Sequence, residues 1–345
     1  MADDESKDIF ESRLLFSITN DMGHIDNIVK KYLPSMEPLY SKEKVDHFVE
    51  FVKDSCKNKK IIIYGAGKVG QLIESLLKNI KIECFSDINA DLQFSGVNGI
   101  PVISPKTLVS RYCENVVVIL AVWKQYHKEL IEFFTSHGIA EKDIINGMYF
   151  LNFKGNHNNQ YFEPNLINYV NDEIFIDAGS FDFNSSISLA KRCNTLKKIY
   201  AFEPDKKNMM TCLNNVNDFT DCEVRLFEAG LWSCNDTLNF NLYGGGGSCI
   251  AESGNTKVPV IALDDVIDED GVTFIKMDIE GAELEALKGA SKTIKLFKPK
   301  LAISLYHKPE DIIDIPEYIM DLNQGYKLYI RHYTNWTVDT VLYAV

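Results

Sequence analysis

The sequence has no Cys-x-x-Cys pair. Its eight cysteines (Cys56, Cys84, Cys113, Cys193, Cys212, Cys222, Cys234 and Cys249) are scattered without zinc-ligand spacing, so reduced, mostly buried thiols are expected. It also lacks any apolar run near the roughly 18 residues that a membrane-spanning helix requires, and no membrane span is expected. Positive charge is in deficit: 36 Lys and Arg stand against 49 Asp and Glu, for a net charge of −13. That balance disfavours nucleic acid or an anionic membrane as the main partner. The amino terminus, Met1 to Ser6, is acidic and does not resemble a basic leader, which points to a cytoplasmic protein. What is present is ordinary for a soluble chain: 345 residues, 46% hydrophobic and 25% charged. That length suits two domains, each able to bury its own core.

Residues 1–58 read as a helical segment. Ile25, Ile28, Val29 and Tyr32 recur at i, i+3, i+4 and i+7, and Val45, Phe48, Val49 and Val52 repeat that spacing, with Pro34 and Pro38 between them. Three short helices make a poor core alone, so they are expected to pack on the next domain or on a second copy, as a homodimerisation arm. Residues 59–150 then open with the strand-like Ile61 to Tyr64, the turn Gly65-Ala66-Gly67-Lys68-Val69-Gly70 and a helix from Gln71. A second strand, Ile82 to Ser86, ends in Asp87. Strand, G-x-G-x-x-G, helix and a later acid is the context of a Rossmann-like nucleotide site, with Gly65, Gly67, Gly70 and Asp87 as its candidate residues. NAD and a nucleotide sugar are both open as ligands, and so is close helix–strand packing with no ligand at all. Residues 151–172 are polar with aromatic punctuation and read as a linker. Within it Tyr161 and Phe162 either cover a cofactor or pack at an interface.

From residue 173 to 345 a second α/β sheet unrolls. Ile174-Phe175-Ile176-Asp177-Ala178-Gly179-Ser180 is an apolar strand that breaks into a glycine turn, and Lys198 to Phe202 is the next strand, ending in Glu203. An acid about 20 residues after such a turn suits hydrogen bonds to ribose hydroxyls. The turn is D-x-G, which leans towards S-adenosylmethionine over a dinucleotide. Gly244 to Gly247 with Ser248 reads as either a mobile loop at a site or a solvated hairpin turn. Thr273 to Asp278 is a strand, Glu283 to Leu296 a helix, and Lys300 to Tyr306 a strand ending in His307. The last two strands, Tyr326 to Tyr333 and Thr340 to Val345, are separated by so short a connection that they must be antiparallel.

Five segments carry a family resemblance: Phe175-Ile176-Asp177-Ala178-Gly179; Ala201-Phe202-Glu203-Pro204; Ala262-Leu263-Asp264-Asp265; Ile275 to Glu283 with Leu287-Lys288-Gly289-Ala290; and Tyr329-Ile330-Arg331-His332-Tyr333. In these, residues 173–345 resemble the FkbM family of S-adenosylmethionine-dependent methyltransferases. Residues 59–150 resemble the nucleotide-sugar-binding-type Rossmann segment attached to some members. The resemblance implies a seven-stranded class I methyltransferase sheet with an antiparallel final strand, and O-methylation of a small-molecule or glycan substrate such as a sugar in polysaccharide biosynthesis. It also implies that Asp177, Gly179 and Ser180 border the methionine part of the cofactor, that Glu203 binds the ribose, and that Asp278 and Glu280 face the transferred methyl. One position departs. Phe183 stands where such enzymes commonly have a second glycine, so its ring either points into the core or closes the cofactor site. The second case would leave an inactive nucleotide-sugar-binding or scaffold protein.

Transfer to a sugar hydroxyl benefits from a base, and His307 is the expected one, assisted by Asp278. Glu280 is the third candidate. These groups could also hold a divalent cation, although no spacing in the sequence requires a metal. For Glu283 the expected role is that of a helix N-terminal acid.

Overall fold

The computed structural model describes residues 1–219, 222–241, 249–250, 256–268 and 271–345, and the glycine run expected as a loop or turn lies outside them. The chain divides into two compact units, Pro38–Asn152 and Met1–Glu37 with Phe153–Val345. None of the described helices is long and apolar enough to cross a membrane.

In the unit Pro38–Asn152, five strands form one parallel sheet: β1 (Lys60–Tyr64), β2 (Ile82–Ser86), β3 (Val102–Ile103), β4 (Val116–Leu120) and β5 (Ile144–Asn146), in the order β3-β2-β1-β4-β5. The runs Ile61–Ile62–Ile63 and Val116 to Leu120 are buried throughout, as strands covered on both faces must be. The helix Lys42–Ser55 lays Phe48 and Val52 into this core.

The other unit holds β6 (Glu173–Ala178), β7 (Leu196–Phe202), β8 (Glu223–Phe227), β9 (Gly230–Leu231), β10 (Asp236–Asn241), β11 (Cys249–Ile250), β12 (Thr256–Ile261), β13 (Phe274–Met277), β14 (Lys300–Ser304), β15 (Leu328–His332) and β16 (Thr340–Ala344). Seven of them form one sheet in the order β15-β16-β14-β13-β6-β7-β8, and β11-β10-β12-β9 form a small second one. In the large sheet β16 runs antiparallel to both β14 and β15 and lies between them, while the pairs from β14 to β8 are parallel. The expected mostly parallel seven-stranded sheet with an antiparallel final strand is therefore the one observed.

Three boundaries differ from the sequence reading. The amino-terminal helices do not form one segment over 1–58: Asp4–Thr19 and Gly23–Tyr32 belong with the large sheet and Lys42–Ser55 with the small unit. Polar groups fix the first of them, since Ile330 N–H donates to Ser6 Oγ at 2.9 Å and Arg331 pairs with Asp3 at 2.6 Å and with Glu5 at 3.4 Å. The stretch expected as a linker over 151–172 supplies Tyr161, Phe162, Leu166 and Ile167 to the core beside Phe175 and Phe274. Its aromatic residues outweigh its polar ones once they meet the sheet. The helix expected over 283–296 is two, Glu283–Gly289 and Ser291–Phe297. A Cβ on Gly289 would stand 1.9 Å from the Trp232 carbonyl oxygen, so the first helix ends hard against another segment.

Candidate active site

Parallel strands deliver their carboxyl ends to one edge of a sheet, where ligands of open α/β folds bind. Here the ends of β6, β7 and β13 enclose a cavity of about 230 Å³, lined among others by Gly179, Ser180, Glu203, Lys276, Asp278, Glu280 and Tyr161.

Gly179 sits at the sharpest point, with φ +76°, and a Cβ there would lie 2.0 Å from the Asp278 carbonyl oxygen. The expected glycine is thus required twice, by its left-handed backbone and by the close approach of β13. The turn is held from below. Asp177, expected to border a cofactor, is completely buried and is not among the residues lining the cavity. Its Oδ1 accepts from Lys276 Nζ at 3.2 Å and its Oδ2 from Ser186 Oγ at 2.7 Å. Lys276 spends its remaining donors on the carbonyl oxygens of Ala178 and Gly179, at 3.1 and 2.7 Å. Asp177 therefore shapes the turn from beneath the cavity. Ser180 lines the cavity, but its hydroxyl turns inward to the Asp177 carbonyl at 2.9 Å.

Phe183 has φ +67° and caps the helix Asn184–Ala190, and its ring is fully buried against Phe219 with centroids 5.3 Å apart. It points into the core, and the cavity stays open. Glu203 does line the cavity. Its Oε1 accepts from Asp205 N–H at 2.9 Å and Asn208 Nδ2 at 3.4 Å, and its Oε2 from Phe181 N–H at 2.9 Å. Oε2 keeps one acceptor position, enough for a single strong hydroxyl contact. Burial raises the Glu203 pKa above the usual carboxylate value, against the three donors that favour its charge.

At the end of β13, Asp278 receives three hydroxyls: Tyr161 donates to Oδ2 at 2.8 Å, and Ser304 and Tyr306 to Oδ1 at 2.9 and 3.0 Å. Burial alone would raise its pKa, but the charges of His307 and Lys276 and the hydroxyls of Tyr161 and Ser304 win, holding it below the ordinary aspartate value. Tyr161 is pushed well above the usual tyrosine value by burial and by the Asp278 charge, so it stays a neutral donor. Glu280 and Gly281 both take left-handed backbone, φ +55° and +93°, and turn the chain towards the helix Glu283–Gly289.

His307 follows β14 and meets three carboxylates: Glu283 Oε1 lies 2.9 Å from Nδ1, while Asp278 Oδ1 and Glu280 Oε2 lie 3.4 and 3.7 Å from Nε2. Burial would lower its pKa, but Glu283, Asp278 and Glu280 together raise it to about 9. A pKa near that value favours the protonated ring at neutral pH, the form that donates a proton and not the form that takes one as the expected base would. Glu283 is also more than a helix-end acid, since its Oε1 accepts from Ile279 N–H at 2.8 Å and braces the loop carrying Glu280.

Sequence reasoning brought Gly179, Ser180, Glu203, Asp278, Glu280 and His307 to this edge and missed Lys276, Ser304 and Tyr306. A lysine in the otherwise apolar strand Phe274–Met277 was the available signal for the first. In the other unit, Gly65 and Gly70 serve packing: Gly65 has φ +101°, and a Cβ on Gly70 would stand 1.9 Å from the Gly65 carbonyl oxygen. Asp87, a candidate nucleotide-binding residue, accepts from Ala66 N–H on Oδ2 at 2.7 Å and from Asn89 N–H on Oδ1 at 2.9 Å. Gly67 differs, with nothing within 4 Å of where its Cβ would stand.

Residues 170–328 match the family model described as methyltransferase FkbM domain, and residues 57–145 match the model C2185-like, N-terminal. No curated protein matches the chain. Among solved structures, a methyltransferase FkbM from Methylobacillus flagellatus is similar at a TM-score of 0.52 and 20% identity, over 94% of this chain and 100% of that one. An rRNA methylase from Streptococcus thermophilus aligns at a TM-score of 0.34 and 19% identity, over 51% of this chain and 87% of that one. Aeropyrum pernix fibrillarin, in complex with S-adenosyl-L-methionine, aligns at 0.33 and 11%, over 51% and 67%.

Proposed function

Residues 170–328 of this chain are a methyltransferase FkbM domain, and on that premise we propose that the protein transfers the methyl group of S-adenosylmethionine to a hydroxyl of a sugar or nucleotide-linked sugar in glycan synthesis. The observation that carries the reading is the cavity at the carboxyl edge of β6, β7 and β13, lined by both Glu203 and Asp278. In this reading Glu203 Oε2 takes a ribose hydroxyl, and the Gly179 turn, held by Lys276 and Asp177, borders the methionine end. The burial of Phe183 removes the steric reason for treating the chain as an inactive scaffold.

Transfer is an in-line displacement. The acceptor oxygen bonds to the methyl carbon while the carbon–sulfur electron pair returns to sulfur, and the hydroxyl proton leaves. Holding the three atoms collinear is worth roughly 7–11 kcal/mol. Asp278 has about four acceptor positions, and Tyr161, Ser304 and Tyr306 fill three of them. The fourth is assigned to the acceptor hydroxyl, whose proton Asp278 takes as the new bond forms.

The test is calorimetric titration with S-adenosylmethionine and S-adenosylhomocysteine, on the parent and on Glu203→Ala. Micromolar binding that the substitution weakens at least tenfold is the expected result, followed by release of S-adenosylhomocysteine when nucleotide sugars are supplied. A folded parent that binds neither compound would sink the proposal.

A further inference from the structure

The methyl-transfer reading leaves part of the site without a purpose. Glu283 is fully buried, and its Oε2 has no hydrogen-bond partner. The His307 side chain is 8% exposed; its Nδ1 pairs with Glu283 Oε1 at 2.9 Å, while its Nε2 has no hydrogen-bond partner. A buried carboxylate oxygen and a buried ring nitrogen without partners are costly unless something polar joins them.

We propose that Asp278, Glu283 and His307 hold a divalent cation beside the transfer cavity. One ligand atom from each lies within 4.8 Å of the others. The His307 Nε2 to Asp278 Oδ1 separation is 3.4 Å, beyond the usual ~2.7–3.2 Å of an N–H···O hydrogen bond. Two ligands each ~2.1 Å from one ion, at a near-tetrahedral angle, stand about that far apart. Charge gives a second reason. Asp278, Glu280 and Glu283 all lie within ion-pair distance of the one His307 ring, so three carboxylates converge on one place.

Two carboxylates and one imidazole suit a hard to borderline ion such as Mn²⁺, Mg²⁺ or Zn²⁺. Ser304 and Tyr306 both donate to Asp278 Oδ1, so one of these hydroxyls turns aside for the ion and the other orients the ligating carboxylate, while the open position on Oδ2 stays with the acceptor hydroxyl. Binding displaces a proton from His307, since metal and proton compete for the same nitrogen. The role of such an ion, drawing in the acceptor oxygen and easing loss of its proton, rests on the methyl-transfer reading. The binding itself does not.

The experiment is titration of chelator-treated protein with MnCl₂, MgCl₂ and ZnCl₂ in the absence of cofactor, with S-adenosylhomocysteine binding measured separately. Saturable uptake of one ion per chain is expected, weakened at least ~10-fold in Glu283→Gln and in His307→Asn. A parent that binds S-adenosylhomocysteine but takes up none of the three ions overturns the site, as does unchanged affinity in Glu283→Gln. Cation uptake without S-adenosylhomocysteine binding sinks the methyl-transfer reading and leaves the site standing. Should the variants fail to fold, Mn²⁺ broadening of the histidine ring signals decides it. Of the seven histidines, His307 must broaden first, and another broadening first overturns the site.

Discussion

The Tyr161 hydroxyl donates to Asp278 Oδ2 across 2.8 Å, tying the stretch before β6 to the carboxylate at the end of β13. A hydrogen bond to a charged acceptor is worth ~1.5–3 kcal/mol. Tyr161→Phe should therefore lower kcat for methyl transfer about 10- to 100-fold while S-adenosylhomocysteine affinity changes less than about threefold. Equal loss in both measurements would mean that Tyr161 shapes the cavity and does not orient Asp278.

Two glycines should respond in opposite ways to alanine. At Gly179 the new methyl would stand 2.0 Å from the Asp278 carbonyl oxygen on a backbone at φ +76°, whereas at Gly67 nothing lies within 4 Å. Gly179→Ala should cost at least ~3 kcal/mol in denaturant unfolding and abolish cofactor binding. Gly67→Ala should cost less than ~1 kcal/mol.

The ion pair of Lys276 with Asp177 is buried on both sides, with side-chain exposures of 2% and 0%. Lys276→Met strands the Asp177 charge and should destabilise the protein by about 3–5 kcal/mol. Adding Asp177→Asn to it should recover part of that loss in urea unfolding. A double variant no more stable than the single one would show that Lys276 matters through the Ala178 and Gly179 carbonyls instead.

His332 on β15 is buried, with Nδ1 2.8 Å from Thr340 Oγ1. Burial and the nearby Arg13 charge hold its pKa down to about 3. The unfolded chain binds this proton near pH 6.5 and the folded one does not until pH 3, so stability is full above pH 6.5 and falls as pH drops between those values. The slope expected from this one group is about 1.4 kcal/mol per pH unit. Urea midpoints at pH 7, 6 and 5 should show it as a difference between the parent and His332→Gln, the variant falling less steeply.

Much was legible in local pattern. Apolar strands broken by Asp177-Ala178-Gly179, by Glu203-Pro204 and by Asp278-Ile279-Glu280 place acids where strands end, and that placement needs only the period of a strand and the conformational freedom of a glycine. The closely spaced last strands, β15 and β16, likewise had to be antiparallel. The roles of those acids were not legible, because burial and partners set them. Asp177 and Asp278 look alike in sequence, yet one is sealed under the turn by Lys276 and the other collects Tyr161, Ser304 and Tyr306 at the cavity. His307 reads as a base in the sequence, and the three carboxylates from the β13 end and the following helix that shift its pKa are visible only in the fold.

The sequence by itself determined that a strand–turn–acid series would build a sheet with a ligand edge, since side-chain periodicity and turn chemistry act between near neighbours. Only the tertiary structure decided which charges that edge keeps and which it neutralises. The energy of a charge depends on what lies within a few ångströms of it, and here those neighbours, such as Tyr161 with Asp278 and Lys276 with Asp177, come from about 100 residues or more away along the chain.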